Sequence, residues 1–503
     1  MQQLTIKNLY FKYKTSTLPI FENLCVDFDQ GWSCLVGANG SGKSTLLQLI
    51  SKKISFEDGV IKGNDLVHYC MQSTQYPPET LDDFMLTFTG KSFKIRDLLN
   101  IKDEWLYRWD DLSCGERKRL QLAVALFDEP DVLLVDEPTN HLDIKSKEIV
   151  LQALKSFKAI GILVSHDREL LDNLSQSTFI LKHQNIMTFK TPFSNAMNEY
   201  NTNLVFLDKN QEKQNAELKK LKKSIQNQHE KVSQSKKRMS KKDLGKNDKN
   251  AKTKIDLARF TGKDKNDGQE LAKLKAKENK IQSNAIKTDK TYALGIEFNT
   301  TKYTNIFPVH IKKKTLELSE TKRLSFGELF INRYDKIGII GENGAGKTSF
   351  LNNMFTDADL KSECLYIPQE ISEEESKALF VEINDLPNDV KGEIFTLIRQ
   401  LSSDPIKLQD SFLPSPGEIK KLMIAKGLLN SPSLIILDEP TNHMDLDSII
   451  SLENALQEYD GTMVIISHDM TFLHTVVSDI WELKKENDDL FRLETQIVNQ
   501  KKY

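Results

Sequence analysis

An internal repeat constrains this chain more than any other feature of its sequence. Four short motifs occur twice, in the same order. The pairs are GANGSGKS at 37–44 and GENGAGKT at 341–348, SCGE at 113–116 and SPGE at 415–418, DEPTNHLD at 136–143 and DEPTNHMD at 438–445, and SHD at 165–167 and 467–469. The last three pairs are 302 positions apart and the first pair 304. Because such an offset indicates one domain present twice, we predict a first copy at 1–195, a linker at 196–299 and a second copy at 300–503.

The overall composition excludes several classes of protein. The chain has 503 residues, of which 39% are hydrophobic, enough for two to four domains with buried cores. No apolar run reaches about eighteen residues, so we expect no membrane-spanning segment. The N-terminal MQQLTIKNLYF alternates like a strand rather than a secretory signal. The five cysteines form no C-x-x-C pair, which argues against a zinc site or a disulfide framework and suits a reducing cytoplasm.

The linker differs from the two copies in charge and in pattern. Residues 201–290 contain 25 Lys and Arg against 12 Asp and Glu, a net charge of +13 in a chain whose total is −3. Apolar residues and glutamines recur in alternating steps of three and four, which is the heptad pattern of a coiled coil. The positions are Leu204, Leu207, Gln211, Gln214, Leu218, Leu221, Ile225, Gln228 and Val232, then Leu271, Leu274, Ile281 and Ala285. We therefore predict two antiparallel helices joined by a basic loop at 233–268, which either docks on a polyanion or is a solvated linker.

Each copy contains a G-x-x-x-x-G-K-[ST] loop between an apolar strand and the start of a helix, the setting that a phosphate-binding loop requires. Backbone N–H groups and the helix N-terminus surround phosphates in such a loop. We expect Lys43 and Lys347 to reach the β- and γ-phosphates, and Ser44 and Thr348 to bind Mg²⁺. The predicted contacts are Gly37, Asn39, Gly40, Gly42, Lys43, Ser44 and Thr45 in the first loop, and Gly341, Asn343, Gly344, Gly346, Lys347, Thr348 and Ser349 in the second.

Two buried strands are predicted to end in an acidic pair. The uninterrupted apolar runs before these pairs are typical of parallel strands buried on both faces. Asp136 and Asp438 suit Mg²⁺ coordination, while Glu137 and Glu439 are placed to accept a proton from an attacking water molecule. The alternative, in which the acids only cap a turn, is disfavoured because both copies place them beside a phosphate loop.

The S-x-G-E motif has the spacing of a helix capping box. Ser113 and Glu116, like Ser415 and Glu418, would stand at the N-cap and N3 positions of a patterned helix. The free N–H groups and the serine hydroxyl at such a helix start also suit a phosphate. The motif is therefore either a cap alone or a second nucleotide contact, made by Ser113, Gly115 and Glu116 or by Ser415, Gly417 and Glu418.

Together these motifs make the chain resemble the ATP-binding cassette superfamily over nearly its whole length. The resemblance implies an α/β fold with two P-loop cassettes that bind ATP and Mg²⁺. It also implies functional side chains outside the loops, namely His166 and His468 in catalysis, Gln72 and Gln369 at Mg²⁺ and Tyr13 against adenine. The second copy has no clear aromatic counterpart of Tyr13 near 317–324. The expected arrangement is head to tail, with each ATP held by the loop of one copy and the signature, SCGE or SPGE, of the other.

Two cassettes, no membrane segment and a charged helical linker resemble the ABC-F family of translation factors, and the DEPTNHLD motif with its twin is typical of that family. The resemblance implies a cytoplasmic monomer, with an intramolecular cassette dimer, at the E site of the 70S ribosome. Its linker would point toward P-site tRNA and the peptidyl-transferase centre of 23S rRNA. The short segment between Gln72 and Ser113 leaves no room for an extra arm, which favours the antibiotic-resistance branch over a housekeeping factor.

Two other classes share the cassette motifs. An importer or exporter ATPase works with separate membrane subunits, and such a cassette pair has no need of a basic helical hairpin. A DNA-repair or chromosome ATPase would carry C-x-x-C zinc pairs or hundreds of coiled-coil residues inside one cassette, and this sequence has neither. We therefore expect no DNA partner.

If the partner is ribosomal RNA, basic residues of the linker are expected to bind its phosphates with little sequence preference. The candidates are Lys236, Lys237, Arg238, Lys241, Lys242 and Arg259. Phe260 would either stack on a base or close the apolar end of the hairpin with Ile255 and Leu257.

The second signature departs from the family pattern because it reads LPSPGE at 413–418. Pro416 is tolerated in a first helical turn, but it lacks an N–H that a γ-phosphate could use. Since loop and signature pair in trans, the altered signature would face the ATP held by Lys43. We therefore expect unequal sites, and unequal losses of turnover when Glu137 and Glu439 are replaced separately.

Overall fold

The described part of this computed structural model comprises residues 3–63, 65–140, 142–182, 184–238, 263–283, 306–354, 364–405, 408, 414–487 and 489–497. By its internal contacts the chain divides into two units. One unit contains both copies of the repeat, Met1–Ala196 and Tyr292–Tyr503, and the other is Met197–Thr291.

The first copy alternates strands and helices, as a βα repeat requires. Its strands are β1 Gln3–Phe11, β2 Phe21–Asp29, β3 Gly31–Val36, β4 Asp58–Lys62, β5 Val67–Cys70, β6 Val132–Asp136, β7 Ile160–Val164, β8 Ser177–Lys182 and β9 Asn185–Phe189. Its helices are α1 Lys43–Ile50, α2 Leu81–Leu86, α3 Gly90–Leu99, α4 Cys114–Phe127, α5 Ile144–Ser156 and α6 Arg168–Leu174, with 3₁₀ turns at Asp103–Tyr107 and Trp109–Asp111.

The strands of the first copy form two sheets. The larger has the order β5-β6-β7-β3-β8-β9 and is parallel except for β9, whereas β2-β1-β4 is antiparallel. Strand β6 is buried along its whole length, as its apolar run predicts, and its neighbour β7 is buried in the same way. Because β3, β6 and β7 are parallel neighbours in this sheet, their carboxyl ends place the phosphate loop, the Asp-Glu pair and the SHD triplet at one edge.

The second copy repeats this order. Its strands are β10 Val309–Ile311, β11 Lys314–Glu317, β12 Arg323–Phe326, β13 Leu329–Ile331, β14 Lys336–Gly341, β15 Cys364–Ile367, β16 Leu434–Asp438, β17 Thr462–Ile466, β18 Asp479–Asn487 and β19 Leu490–Ile497. Two helices precede it, α7 Phe193–Arg238 and α8 Lys263–Ser283. The helices of the second copy are α9 Lys347–Met354, α10 Glu373–Asp385, α11 Asn388–Gln400, α12 Pro416–Leu428, α13 Leu446–Glu458 and α14 Met470–Val476. The main sheet, β11-β12-β19-β18-β14-β17-β16-β15, again has the loop-bearing strand β14 at its centre.

The linker unit contains two helices, as predicted: α7, Phe193–Arg238, and α8, Lys263–Ser283. At about 1.5 Å per residue, the 46 residues of α7 extend about 69 Å. Gln228 bonds Glu270 at 3.2 Å and Lys277 pairs with Glu217 at 2.7 Å, so the helices run antiparallel. Leu221 and Gln228, both on the predicted seam, are buried, while a supercoil remains a prediction.

The second helix starts earlier than the sequence suggests. We predicted that the loop runs to Gly268, but α8 already begins at Lys263. A single glycine inside a helix costs only about 1 kcal/mol, so Gly268 is not by itself enough to end the helix. Ala285 and the loop residues 239–262, including Lys241, Lys242, Arg259 and Phe260, lie outside the described residues. Lys236, Lys237 and Arg238 are in the last turn of α7, and their side chains are not among those described.

Candidate nucleotide-binding site

The two phosphate loops have the same internal hydrogen bonds. Lys43 Nζ donates to the carbonyl oxygens of Gly37 and Ala38 at 2.6 and 3.0 Å. Lys347 makes the matching bonds in its own loop at 2.9 and 3.1 Å. Each loop turns through glycines with positive φ, namely Gly40 (74°), Gly42 (104°), Gly344 (78°) and Gly346 (95°). The loops therefore hold the concave backbone that phosphate binding needs, with one amine at each centre.

The aspartates of the Asp-Glu pairs lie beside the loops. Thr348 Oγ1 donates to Asp438 Oδ2 at 2.9 Å. In the first copy the matching oxygen of Asp136 accepts from the hydroxyl of Tyr69 at 3.0 Å. Burial raises the pKa of Asp438 above its ordinary value, while Thr348 and the charge of Lys347 act in the opposite direction.

A Mg²⁺ ion fits these oxygen ligands. Asp438 Oδ1 is buried and has no hydrogen-bond partner within the described part of the chain. The hydroxyl of Thr348 beside it supplies a second hard oxygen of the kind Mg²⁺ prefers. Gln369, the predicted third ligand, lines the same cleft as Thr348. Gln72, its counterpart, is exposed, and its backbone oxygen accepts from Lys118 at 3.4 Å.

The glutamates of the pairs are buried in a strained backbone conformation. Glu137 and Glu439 both have φ of 47°, in the left-handed region that non-glycine residues rarely adopt. Burial, reinforced by the neighbouring Asp136, raises the pKa of Glu137 from its ordinary value of 4.5 to about 8. Burial also raises the pKa of Glu439, to about 7, although the charge of Lys347 counteracts it. A carboxyl group with a pKa near neutrality is suited to general-base work.

The histidines of the SHD triplets lie next to these glutamates. His166 Nε2 is 3.4 Å from Glu137 Oε1, and His468 Nε2 is 3.5 Å from Glu439 Oε1. Burial and the nearby loop lysine lower the pKa of His166 to about 4 and of His468 to about 3. Both imidazoles are therefore neutral at physiological pH.

The signature motifs form the predicted capping boxes. Ser113 caps α4, where Glu116 accepts from the backbone N–H and the hydroxyl of that serine at 2.9 and 2.8 Å. Ser415 caps α12, where Glu418 accepts from the backbone N–H of Ser415 at 3.4 Å, and Pro416 is the first helical residue. The sequence pattern is confirmed as a cap in both copies.

One cleft of about 570 Å³ brings the second loop together with the first signature. Its lining includes Lys347, Thr348 and Ser349 of the second copy and Ser113, Cys114 and Gly115 of the first. This is the expected head-to-tail pairing. In the cleft Leu318 stands against Gly346. Tyr13 instead bonds Thr45 at the first loop, through two hydroxyls 3.1 Å apart.

The last aspartate of each repeated motif, DEPTNHLD or DEPTNHMD, contacts the other copy. Asp143 caps α5 and accepts from the backbone N–H of Asn343 at 3.2 Å, and Asp445 caps α13 and accepts from that of Asn39 at 2.8 Å. Asn39 also donates to the carbonyl oxygen of His443 at 3.1 Å. That carbonyl would clash with any side chain at Gly417, so the second signature adjoins the first loop. Sequence reasoning missed both aspartates, although each ends a repeated motif.

Sequence comparisons identify the same domain twice. The family model described as "ABC transporter" matches residues 21–140 and 324–442. The chain is 28% identical over 490 residues to the ribosome protection protein VmlR of Bacillus subtilis (strain 168), covering 93% of this chain and 84% of the relative. It is 26% identical over 503 residues to the erythromycin resistance ATP-binding protein MsrA of Staphylococcus epidermidis, covering 96% and 98%. It is also similar to an ATP-binding protein Uup of Buchnera aphidicola, at 27% identity over 96% of this chain and 81% of the relative.

Structural comparison agrees on the fold. A crystal structure of the archaeal ribosome recycling factor aABCE1 in complex with the stalk protein aP1 superposes with a TM-score of 0.60 at 17% identity, covering 97% of this chain and 89% of that one. An RNase-L inhibitor superposes with a TM-score of 0.59 at 18% identity, covering 97% and 90%. Within the residues that the structure describes, no helix combines the length and apolar character needed to span a bilayer.

Proposed function

Because the chain belongs to the ABC-F family of ATP-binding cassette ATPases, we propose that it acts on the ribosome, in the cytoplasm, as an ATP-dependent protection factor. ATP would close the two cassettes, and the closed form would bind the E site and direct the linker toward P-site tRNA and the peptidyl-transferase centre. The observation that carries the ATP-dependent step is the cleft between the Lys347 loop and the Ser113 signature. Closure around ATP would therefore engage residues of both cassettes.

For hydrolysis we propose that Lys347 exchanges its two loop carbonyls for the β- and γ-phosphates, while the cap of α4 receives the γ-phosphate from the other side. Glu439 accepts the proton of the water that attacks the γ-phosphorus, a role that its pKa of about 7 supports. A Mg²⁺ ion held by Thr348, Asp438 and Gln369 would neutralise phosphate charge. At the site that contains the loop of the first copy, Lys43, Glu137 and the cap of α12 would take the same roles.

The ribosomal partner is supported by charge and by relatives. Residues 201–290 of the linker carry +13 while the other 413 residues carry −16, so a polyanion would bind the linker selectively. Two relatives covering most of this chain are named for ribosome protection and for erythromycin resistance. We propose that Lys236, Lys237, Arg238, Lys241, Lys242 and Arg259 bind rRNA phosphates.

The decisive experiment combines Glu137→Gln with Glu439→Gln. Without either general base, ATP stays bound and the cassettes stay closed, so the variant should co-sediment with 70S ribosomes in ATP and inhibit growth. A matched control adds Lys43→Ala and Lys347→Ala, which should release it by preventing ATP binding. Absence of the double Gln variant from the ribosomal fraction would contradict the ribosomal role. It would not affect the conclusion that the chain is an ATPase. Unchanged drug sensitivity on expression of the wild-type chain would favour a housekeeping role instead.

A further inference from the structure

A lysine of the first cassette reaches into the site of the second. Lys147 lies on α5, and its side chain is 22% exposed. Its ammonium donates to the backbone carbonyl of His468 at 3.1 Å and pairs with Asp167 of its own cassette at 2.8 Å. It lines the cleft that contains Lys347. Burial acts to lower its pKa, but the charges of Asp167, Asp469 and Glu439 outweigh burial and raise it, so the side chain stays cationic.

His468, whose carbonyl oxygen accepts from Lys147, contacts several functional groups of the Lys347 site. The Nε2 atom of His468 is 3.1 Å from Lys347 Nζ, 3.1 Å from Asn343 Oδ1 and 3.5 Å from Glu439 Oε1. The backbone N–H of His468 also donates to Glu439 Oε2 at 3.3 Å. Fixing the main chain of His468 therefore fixes the imidazole against the loop amine and the glutamate.

The other site is built differently. The repeat offset of 302 makes Ile449 the counterpart of Lys147, and an isoleucine has no charge or donor to offer. Within the described residues, His166 has no contact that matches the bonds of His468 to the loop lysine and asparagine. The two sites therefore differ at Lys147 as well as at Pro416.

We infer that Lys147 is a positioning residue, supplied in trans, for hydrolysis at the Lys347 site and at that site alone. Closure of the cassettes brings its ammonium onto the carbonyl of His468, which orients the imidazole and Glu439 for the attacking water. Hydrolysis at this site thus becomes conditional on closure. The inference rests on the roles proposed above for Glu439 and His468.

The test isolates each site in the full-length protein. Glu137→Gln leaves hydrolysis to the Lys347 site, and Glu439→Gln leaves it to the Lys43 site. In the Glu137→Gln background, Lys147→Met should lower kcat about tenfold with KM for ATP within about twofold, as expected when only orientation is lost. In the Glu439→Gln background, the same change should alter kcat by less than about twofold. Lys147→Arg, which keeps the charge and the donors, should restore most of the rate.

A matched control separates positioning from loss of surface charge. Lys145 lies on the same helix and pairs with Glu342 across the interface at 2.5 Å, but its side chain is 77% exposed. Lys145→Met should leave both backgrounds within about twofold of their parents, because exposed pairs contribute little. Equal losses in both backgrounds on Lys147→Met, a rise in KM with kcat unchanged, or no rescue by arginine would each overturn the inference.

Failure of the proposed function would look different. If Glu439 is not the base, Glu439→Gln alone would retain the hydrolysis of its site. The comparison is then repeated with Lys43→Ala and Lys347→Ala, which isolate the sites by removing phosphate binding instead. If Lys147→Met lowers kcat only in the Lys43→Ala background, the inference is supported. If it lowers kcat to the same extent in both backgrounds, the inference is overturned.

Discussion

At the scale of single residues, the two glutamates combine strain with burial. Each has φ of 47° and a buried carboxyl whose Oε1 lacks a hydrogen-bond partner among the described residues. A buried carboxylate without full compensation destabilises the folded protein, and strained backbone adds to that cost. Here the costly conformation directs both carboxyl groups toward the phosphate loops. Proteins typically retain such a destabilising feature at a functional site.

This burial predicts a pH-dependent stability. The pKa of Glu137 is about 8 folded against 4.5 ordinarily, so the folded state binds more protons between these values. Its contribution to stability is thus present below pH 4.5 and is lost as the pH rises toward 8. Glu137→Gln removes this titrating group. The free energy of unfolding of the variant should therefore rise relative to that of the wild type over this pH range, by on the order of 1 kcal/mol or more at pH 8. Thermal unfolding without nucleotide, in EDTA, measures the difference, and a pH-independent difference would contradict the prediction.

At the scale of elements, the two signature helices have the same cap and different first residues. Ser113 and Ser415 each bond the N3 glutamate, so both helices start where the motif predicts. Cys114 retains a backbone N–H at the first position of α4, whereas Pro416 at the same position of α12 has none. The helices are equivalent in structure and unequal as phosphate donors.

Exchanging these first residues should exchange the properties of the sites. Pro416→Ala restores an N–H toward the ATP held by Lys43, and it should raise turnover in the Glu439→Gln background about two- to tenfold, the range of one net hydrogen bond. Cys114→Pro should lower turnover in the Glu137→Gln background to a similar extent. Single-turnover ATPase assays measure both. No change in either background would show that the first-turn N–H is not used.

At the scale of the whole molecule, the interface between the cassettes contains an ion pair that the repeat does not duplicate. Arg168 binds Glu453 through both terminal guanidinium nitrogens, with Nη1 donating to Oε2 at 3.0 Å, and the two side chains are 15% and 6% exposed. The counterparts at the offset of 302 are Met470 and Leu151, which cannot form the pair. The ion pair is thus present on one side of the interface, and the repeat-equivalent residues of the other side are both apolar.

Breaking this pair should cost more than removing it. Arg168→Met leaves Glu453 buried and uncompensated, a change that costs about 3–5 kcal/mol in comparable pairs. Arg168→Met combined with Glu453→Leu copies the apolar counterparts and should recover most of the loss, because the buried carboxylate of Glu453 is removed together with its partner. Asp469, whose carboxylate lies 3.7 Å from Arg168, loses only this longer contact. A double-mutant cycle on thermal unfolding tests this. Additive losses would show that the two side chains do not interact.

The sequence by itself determined the repeat, the loop–helix units, the Asp-Glu pairs, the two caps and the helical linker. These features rest on local physics: glycines permit the turns of the loops, serine and glutamate satisfy free N–H groups, and apolar periodicity specifies buried strands. Copy-to-copy identity also revealed the altered signature at Pro416. The reach of α8 was misjudged because a glycine is only a weak helix breaker.

Only the tertiary structure decided what crosses from one copy to the other. Asp143 ends a repeated motif, and Lys147 and Arg168 follow such motifs. Nothing local shows that they contact Asn343, His468 and Glu453 some 200 to 321 positions away. The same holds for the burial that raises the pKa of Glu137 and Glu439. Local pattern specifies each half-site, whereas long-range packing determines which halves meet and makes the two sites unequal.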